Sequence, residues 1–400
     1  MQRLNVLISG AGIAGLTLAY WLARHGTSVT VVERGAGQRS SGSPVDLRGE
    51  AVAIAERMSI LPRLRQAATD VAGLRFVDAS GNLVARVDTL AMQRARGSRH
   101  VEIARGELST ILHEASQDSA EFLFDDALRT IDQDTDGVDV TFERASPRRF
   151  DLVVGADGLH SGVRRLVFGP EREYVRHAGL YVATLPLSDS YDGIGRDVTM
   201  FNVPGRLAAI HPARTRPVAA FIFWRNAVAG LDHRDTEQHR RIVEATYQAD
   251  GWYVPRLLAE VRTTPDLYFD SVSRVQLPRW SSGRVVVVGD AASCVSLLGD
   301  GSTLAMIGAY TLATALAEHH GAHGLAFGKY EMRHRRLAEP RQRLMRLAAW
   351  VLVPKTRTAI AVRNAALRLV PVLTASEWAR RRATRLRLSR SARTAWREPE

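Results

Sequence analysis

The sequence predicts an α/β protein: a parallel sheet wound with helices, interleaved with a mostly antiparallel sheet and followed by a helical C-terminal region. Three observations predict it. An apolar run near the N terminus, Val6 to Ser9, ends in the spacing G-x-G-x-x-G at Gly10, Gly12 and Gly15. Two further apolar runs, residues 152–154 and 285–288, each deliver an Asp-Gly or Gly-Asp pair at their C-terminal end, Asp157-Gly158 and Gly289-Asp290. Between residues 180 and 276 the texture changes to alternating, aromatic-rich stretches, the period of a sheet with one covered face. A chain of 400 residues exceeds one ordinary core, so two intimately joined domains are expected. The first takes residues 1–70, 100–170 and 281–330, and the second takes 71–99 and 171–280. Residues 331–400 form an Arg-rich helical region.

The N-terminal segment carries the most chemistry. A helix is predicted over residues 13–25, closed by Gly26, and a second strand over 28–32 ends in Glu33. Strand, tight turn, helix, strand and acid is the order that the ADP half of a dinucleotide requires. Gly10 permits the turn, Gly12 lets backbone approach a pyrophosphate, and Gly15 lets helix and strand pack closely. The helix N terminus offers N–H groups and a partial positive charge to phosphates. Glu33 stands about 20 residues beyond the glycines, where a carboxylate accepts hydrogen bonds from a ribose diol. An acid there repels a 2′-phosphate, so the site should hold FAD or NAD and not NADP. An ordinary strand-turn-helix unit is the bland alternative, and the flanking strand, helix and acid together weigh against it.

A Gly- and Ser-rich loop over residues 35–43 then leads to Arg48, which reads equally as a phosphate or flavin contact and as a surface arginine. A helix is expected over 51–67 and a hairpin over 74–87 turning at Ser80-Gly81-Asn82. Residues 100–108 open a helix running to about 116. Arg105 sits near its start, where an unpaired cation is poorly placed for the dipole and better explained by an anionic ligand. Short strands follow over 122–124, 128–133 and 138–143. Asp157 could be a mere turn residue, and Ser161 could cap the next helix. The alternating stretches carry Tyr181, Phe201, Phe221 and Phe223; most such rings are core, and a few should line a largely apolar ligand site. Helices are expected over 236–246 and 256–262.

Four consecutive valines, 285–288, make a strand buried on both faces, with Asp290 at its end. Gly299-Asp300-Gly301 then opens a long helix over 303–319. A second glycine turn and a second helix N terminus thus point at one site. A dinucleotide with a long sugar-like linker explains both halves, and FAD has that shape. Asp290 would hold ribityl hydroxyls, and the helix opening after Gly301 would favour negative charge on the flavin ring. Helices are expected over 333–350 and 355–369, divided by Pro354, with an Arg-rich helical end over 378–396.

The net charge of +12 belongs to the C-terminal end. Residues 331–400 carry 18 Lys and Arg against five Glu, which leaves the first 330 residues close to neutral. A solvated helical face explains this, and docking to an acidic partner or membrane surface is the rival. No base-reading element accompanies the charge, so nucleic acid is not expected. One cysteine, Cys294, excludes an internal disulfide and a cysteine metal cluster, and the scattered histidines leave no metal site. No apolar stretch reads as a membrane span or signal peptide, so the expected location is cytoplasmic.

With the three constellations in order, the chain resembles the FAD-dependent aromatic hydroxylases, typified by para-hydroxybenzoate hydroxylase, and within them the antibiotic-modifying and polyketide-tailoring members. The resemblance spans residues 4–318 and rests on Gly10/Gly12/Gly15 with Glu33, Asp157-Gly158 with Ser161 and Arg164, and Gly289-Asp290-Ala291-Ala292. It implies FAD as cofactor and NADPH or NADH as co-substrate. The cofactor set it implies adds Ala14, Arg34, Arg48, Arg105 and Leu128 to the residues above, with Gly299 and Gly301 beside the ring. The implied reaction traps O₂ on reduced flavin as a C4a-hydroperoxide and passes one oxygen to a phenol or polycyclic aromatic. The chemistry is then the cofactor's, and no protein acid–base dyad is assigned. Members of the family usually carry a histidine or tyrosine and then a proline after the Gly-Asp-Ala-Ala element. Here Ser293-Cys294-Val295 follow with no proline before Gly299. Flavin halogenases carry a W-x-W-x-I-P segment, which is absent. A Baeyer–Villiger or epoxidising member, and a flavin-binding partner protein with impaired turnover, remain alternatives.

Overall fold

The computed structural model describes residues 4–37, 44–91, 99–188, 191, 195–213, 216–295 and 300–368. The predicted glycine loop beyond residue 37, Gly299 and the Arg-rich end therefore lie outside the described residues.

The fold is built on a six-stranded sheet with spatial order Ser281–Ser282, Val285–Val287, Leu152–Gly155, Asn5–Ser9, Ser28–Glu33, Glu121–Phe124. All neighbours are parallel except the short first strand. Its inner strands are apolar on both faces because helices cover both: Val6, Leu7, Ile8, Val153, Val154, Val286 and Val287 are buried. Helix Ile13–Arg24 is apolar nearly all round, with nine of its 12 residues buried. It packs against helix Asp300–Glu318. That contact joins the first and last parts of this layer.

The second sheet has seven strands, ordered Tyr268–Val275, Val175–Pro186, Val218–Trp224, Arg206–His211, Asp197–Val203, Gly73–Val77, Leu83–Asp88. It is antiparallel apart from the pairing of Asp197–Val203 with Gly73–Val77. Its two faces bury different partners. One face carries Tyr181, Phe201, Phe221 and Phe223 and packs on helices Thr236–Tyr247 and Val254–Thr263. The other carries Leu180, Leu207, Ala209 and Val272 and meets Met345, Ala349 and Val353 at the end of the long helix His323–Leu352.

Several elements differ from the sequence reading for local reasons. The stretch over 51–67 breaks into Glu50–Arg57 and Leu61–Gln66, because Ser59 takes φ 61°. His100–Ile103 is a strand paired with Val45–Arg48, and the helix begins only at Arg105. The long helix starts ten residues before position 333 and runs through Pro340. A second helix follows Pro354 over residues 357–368. Helix Asp300–Glu318 contains Gly301 in its first turn rather than following it.

Candidate active site

The three sequence constellations meet at the carboxyl ends of adjacent strands, where ligands collect in open parallel sheets. Ser9 pairs with Gly155, and Gly155 pairs with Val287. The backbones continue the ladder past the strand ends: the Ala156 amide donates to Ser9 O at 2.7 Å and the Val288 amide to Gly155 O at 2.8 Å. The turns then lock into each other. Gly10 has φ +107°, and a Cβ there would stand 2.5 Å from Ala156 O. A Cβ on Gly15 would stand 1.9 Å from Gly10 O, so helix and turn pack too closely for any side chain. Gly289, at φ +66°, would place a Cβ 2.9 Å from the Cβ of Ala14. The third motif thus rests on the first helix.

Gly12 behaves differently. Apart from its chain neighbours and its own helix, no atom of the described residues lies within 4 Å of where its Cβ would stand, so their packing does not demand a glycine there. It is the N-cap of helix Ile13–Arg24, which has no side-chain cap and no acid in its first turn. Its amides are therefore left to a ligand rather than to a side chain of this helix, the arrangement that suits a pyrophosphate. Glu33 closes the far side. Its carboxylate accepts from the Ala11 amide at 2.9 Å and the Gly35 amide at 2.8 Å. These bonds fix the carboxylate against the glycine turn while leaving acceptor capacity for a diol. Arg34 beside it is exposed, and Leu128, at the head of its strand, is buried in the main core.

Asp157 and Asp290 flank the centre of the site. Burial pushes the Asp157 carboxyl above the ordinary carboxylate range, against the Ser161 hydroxyl at 2.5 Å and the Val163 amide at 3.0 Å. Gly158 takes φ +79° in this turn. Ser161 also caps helix Gly162–Val167 by accepting from the Arg164 amide. The Arg164 guanidinium, with no exposed surface, donates to Leu159 O at 2.5 Å and Ala291 O at 3.1 Å and meets Glu171 at 3.5 Å. One buried side chain thereby ties the second motif to the third. Burial likewise raises the Asp290 carboxyl; the Arg105 charge opposes that shift, Asp270 adds to it, and the Cys294 side chain hydrogen-bonds the carboxylate. Arg105, the first residue of its helix, makes no hydrogen bond or ion pair with any described residue. The neighbouring Ser293 hydroxyl is buried without a partner among the described residues. Arg48 is half-exposed and pairs with Asp46 at 2.5 Å and Asp300 at 3.6 Å, while Thr303 receives its amide.

The four aromatics offered as pocket lining are not at this site. Tyr181, Phe201, Phe221 and Phe223 point to the far face of the second sheet, into the core made with helices Thr236–Tyr247 and Val254–Thr263. Alternation identified residues sharing a face, and that face turned out to be covered by the domain's own helices. The opposite face looks towards the motifs. Across it Tyr268, Thr184, Ala220, Ala209 and Met200 stand directly opposite one another on successive strands. Burial raises the Tyr268 phenol, Asp270 and Asp290 add to that shift, and the Arg105 charge opposes it. The Thr184 hydroxyl is buried without a partner among the described residues. His211, farther along this face, holds Glu102 at 3.0 Å.

Sequence reasoning passed over one charged cluster beside the site. His160 stands between Glu171 at 3.0 Å and Asp270 at 3.2 Å, and its ring stacks on His233 with centroids 4.2 Å apart. Burial alone would lower the His160 pKa, but the two carboxylates outweigh it and raise the value to about 9. His233 is held below its ordinary value by burial and by the His160 charge. Only His160, inside the second motif, carried a sequence signal; Asp270 and Glu171 reach it from distant segments.

Comparison with known proteins agrees with this geometry. The FAD binding domain family profile matches residues 3–342. An uncharacterised Mycobacterium tuberculosis protein is 40% identical over 344 residues, covering 85% of this chain and 92% of that one. A flavin-dependent monooxygenase of Legionella longbeachae is 32% identical over 352 residues, covering 88% of this chain and 89% of that one. The crystal structure of tetracycline destructase Tet(51) superposes with a TM-score of 0.80 at 31% identity, covering 93% of this chain and 98% of the other.

Proposed function

The chain belongs to the FAD-binding, group A flavoprotein monooxygenase family, and from that premise we propose that it hydroxylates an aromatic or polyketide-type small molecule with NAD(P)H and O₂. The observation that carries this reading is the interlocking of three motif turns at one sheet edge, facing the second sheet across Asp290. The residues present fit FAD: an uncapped helix N terminus at Gly12, a fixed carboxylate at Glu33, and at Arg105 and Ser293 a cation and a hydroxyl that bond no described residue.

In this reading Gly10, Gly12, Ala14 and Gly15 hold the pyrophosphate and Glu33 the adenosine ribose. Arg34, Arg48 and Arg105 supply positive charge, Leu128 backs the adenine end, and Asp157-Gly158 and Asp290 bind the linker. Gly301 and Gly299 belong to the ring end. FAD supplies the redox chemistry, with one oxygen atom of O₂ entering the product, the other leaving as water, and NAD(P)H giving two electrons. The chain's own work is to bind, orient and exclude water. Asp290, buried at the strand end and facing the Arg105 charge, accepts hydrogen bonds from the linker's hydroxyls. The substrate occupies the side of the second sheet that carries Thr184, Ala220, Ala209 and Met200, where the Thr184 hydroxyl offers one polar contact in an apolar wall. The likeness to a tetracycline destructase makes a planar polycyclic polyketide the first substrate class to try.

The test is turnover. Purified protein loaded with FAD is given NADH or NADPH, air and a panel of polycyclic phenols including a tetracycline. The expected result is substrate-stimulated O₂ uptake and a product heavier by one oxygen. A yellow protein that consumes NAD(P)H without transferring oxygen to any of them would overturn the hydroxylase reading.

A further inference from the structure

A cavity of about 690 Å³ lies where strands Val175–Pro186 and Tyr268–Val275 meet the end of helix His323–Leu352, and none of the motif residues lines it. Its charge is one-sided. Arg176, Arg225, Arg274, Arg346 and Lys355 line it, and among the described residues no carboxylate does. Other arginines at the rim of this sheet are matched to acids, as Arg86 is to Asp197 and Arg206 to Asp250. Here the side chains of Arg225, Arg274 and Arg346 make no hydrogen bond or ion pair with any described residue.

The sheet itself works against stability at this point. Arg176 and Arg274 are direct cross-strand neighbours, an arrangement that destabilises an antiparallel pair. Arg176 is held in place by the carbonyls of Arg172 and Glu173, and it gains no counter-charge from them. The register of this strand pair slips between His177 and Leu180, and Gly179 takes φ +93° against the Trp224 ring. Such a bulge re-aims side chains at a sheet rim. His177 bonds Arg225 O through Nε2, while its Nδ1 is buried without a partner among the described residues. Lys355 sits 3.9 Å from the Trp224 ring centroid and so keeps its charge at the rim.

We propose that this cavity binds a small polyanion bearing two or more phosphate groups, separately from the cofactor cradle. Guanidinium forks from three chain segments converge on it, and their planar donors match phosphate oxygens. The repulsion between Arg176 and Arg274 is then relieved by the ligand. The phosphate could come from a soluble molecule or from a lipid headgroup.

The experiment uses full-length protein loaded with FAD, so that the pyrophosphate-binding turn is already filled. Inorganic pyrophosphate is titrated calorimetrically and by thermal shift, with sodium chloride at matched ionic strength as control. Expected are saturable heat and a rise in Tm beyond the chloride control. The Arg225→Gln/Arg274→Gln variant should lose about tenfold or more in pyrophosphate affinity. Its unliganded Tm should be equal or higher, because like charges have been removed, and its flavin spectrum should not change. Arg346→Gln, on an exposed helical position, guards against misfolding and should weaken binding severalfold. Vesicles of equimolar phosphatidylcholine and phosphatidylglycerol, against phosphatidylcholine alone, distinguish the sources. Binding to free pyrophosphate assigns a soluble ligand, and binding to anionic vesicles alone assigns a headgroup. Neither, or pyrophosphate binding unchanged in both variants, overturns the proposal.

Discussion

Gly12 and Gly15 sit three residues apart, and their substitution should separate ligand binding from folding. A methyl at Gly15 would lie 1.9 Å from Gly10 O, so Gly15→Ala should lower Tm and flavin content together. A methyl at Gly12 meets no packed neighbour among the described residues within 4 Å, so Gly12→Ala should keep the Tm of the flavin-free protein while cutting bound FAD. Thermal melts and the flavin-to-protein absorbance ratio read both. Equal Tm losses would mean that Gly12 is structural. Asp290 allows a signed test as well. Its carboxyl is raised by burial, so the folded protein holds the proton more tightly, and the charged form costs stability as pH rises past the unfolded carboxylate range. Asp290→Asn should therefore stabilise the flavin-free protein near pH 7, with a gain that fades towards pH ~4, and still bind FAD more weakly. These positions were legible in the sequence because backbone sterics leave so few residues able to occupy them. The aromatics were not: Tyr181, Phe221 and Phe223 share a face by period, but a period of two does not say which face is roofed by helices.

At the scale of elements, two side chains join segments that the sequence keeps far apart. Arg164 carries the turn after strand Leu152–Gly155 onto the carbonyl of Ala291. Lysine keeps the charge but cannot reach Leu159 O, Ala291 O and Glu171 at once. Arg164→Lys should thus cost about 2–3 kcal/mol in denaturant melts, nearer the penalty for a broken buried pair than for a surface change. A loss under about 0.5 kcal/mol would show that the tie is ornamental. His160 joins the same turn to strand Tyr268–Val275 through Asp270. Its folded pKa of about 9 lies above the unfolded value of about 6.5. The stability it contributes is fully present below the lower value and is lost as pH climbs through the upper one. The wild-type protein should lose stability between these two values more steeply than His160→Gln, measured by urea midpoints across that range. Parallel profiles would remove the charge from the account. Neither partnership was readable beforehand, since Asp270 and Glu171 have no local pattern. The long helix His323–Leu352 was legible from residue 333 on, through Pro340, where tertiary contacts of Met345 and Gln342 hold it; its first ten residues were not read.

For the whole molecule, the two sheets divide the labour, and the seven-stranded sheet is where the division can be measured. One face is the core of its own domain; the other is a wall towards Asp290. Residues on opposite faces should therefore differ in kind. Phe221 is wholly buried among Tyr247 and its neighbours, and Phe221→Ala should cost about 3–5 kcal/mol of stability. Its flavin content and its preference among substrates should hold wherever the variant folds. Thr184 lies on the other face, opposite Tyr268 and Ala220, with a buried hydroxyl that bonds nothing among the described residues. Thr184→Val keeps the shape and removes an unsatisfied group, so Tm should stay level or rise. If that hydroxyl meets the substrate, KM should climb about fivefold to tenfold, the worth of one hydrogen bond, while NAD(P)H oxidation without substrate is unchanged. A Thr184→Val enzyme with unaltered KM, beside a Phe221→Ala enzyme with altered preference, would reverse the two faces and place the substrate against the helices instead.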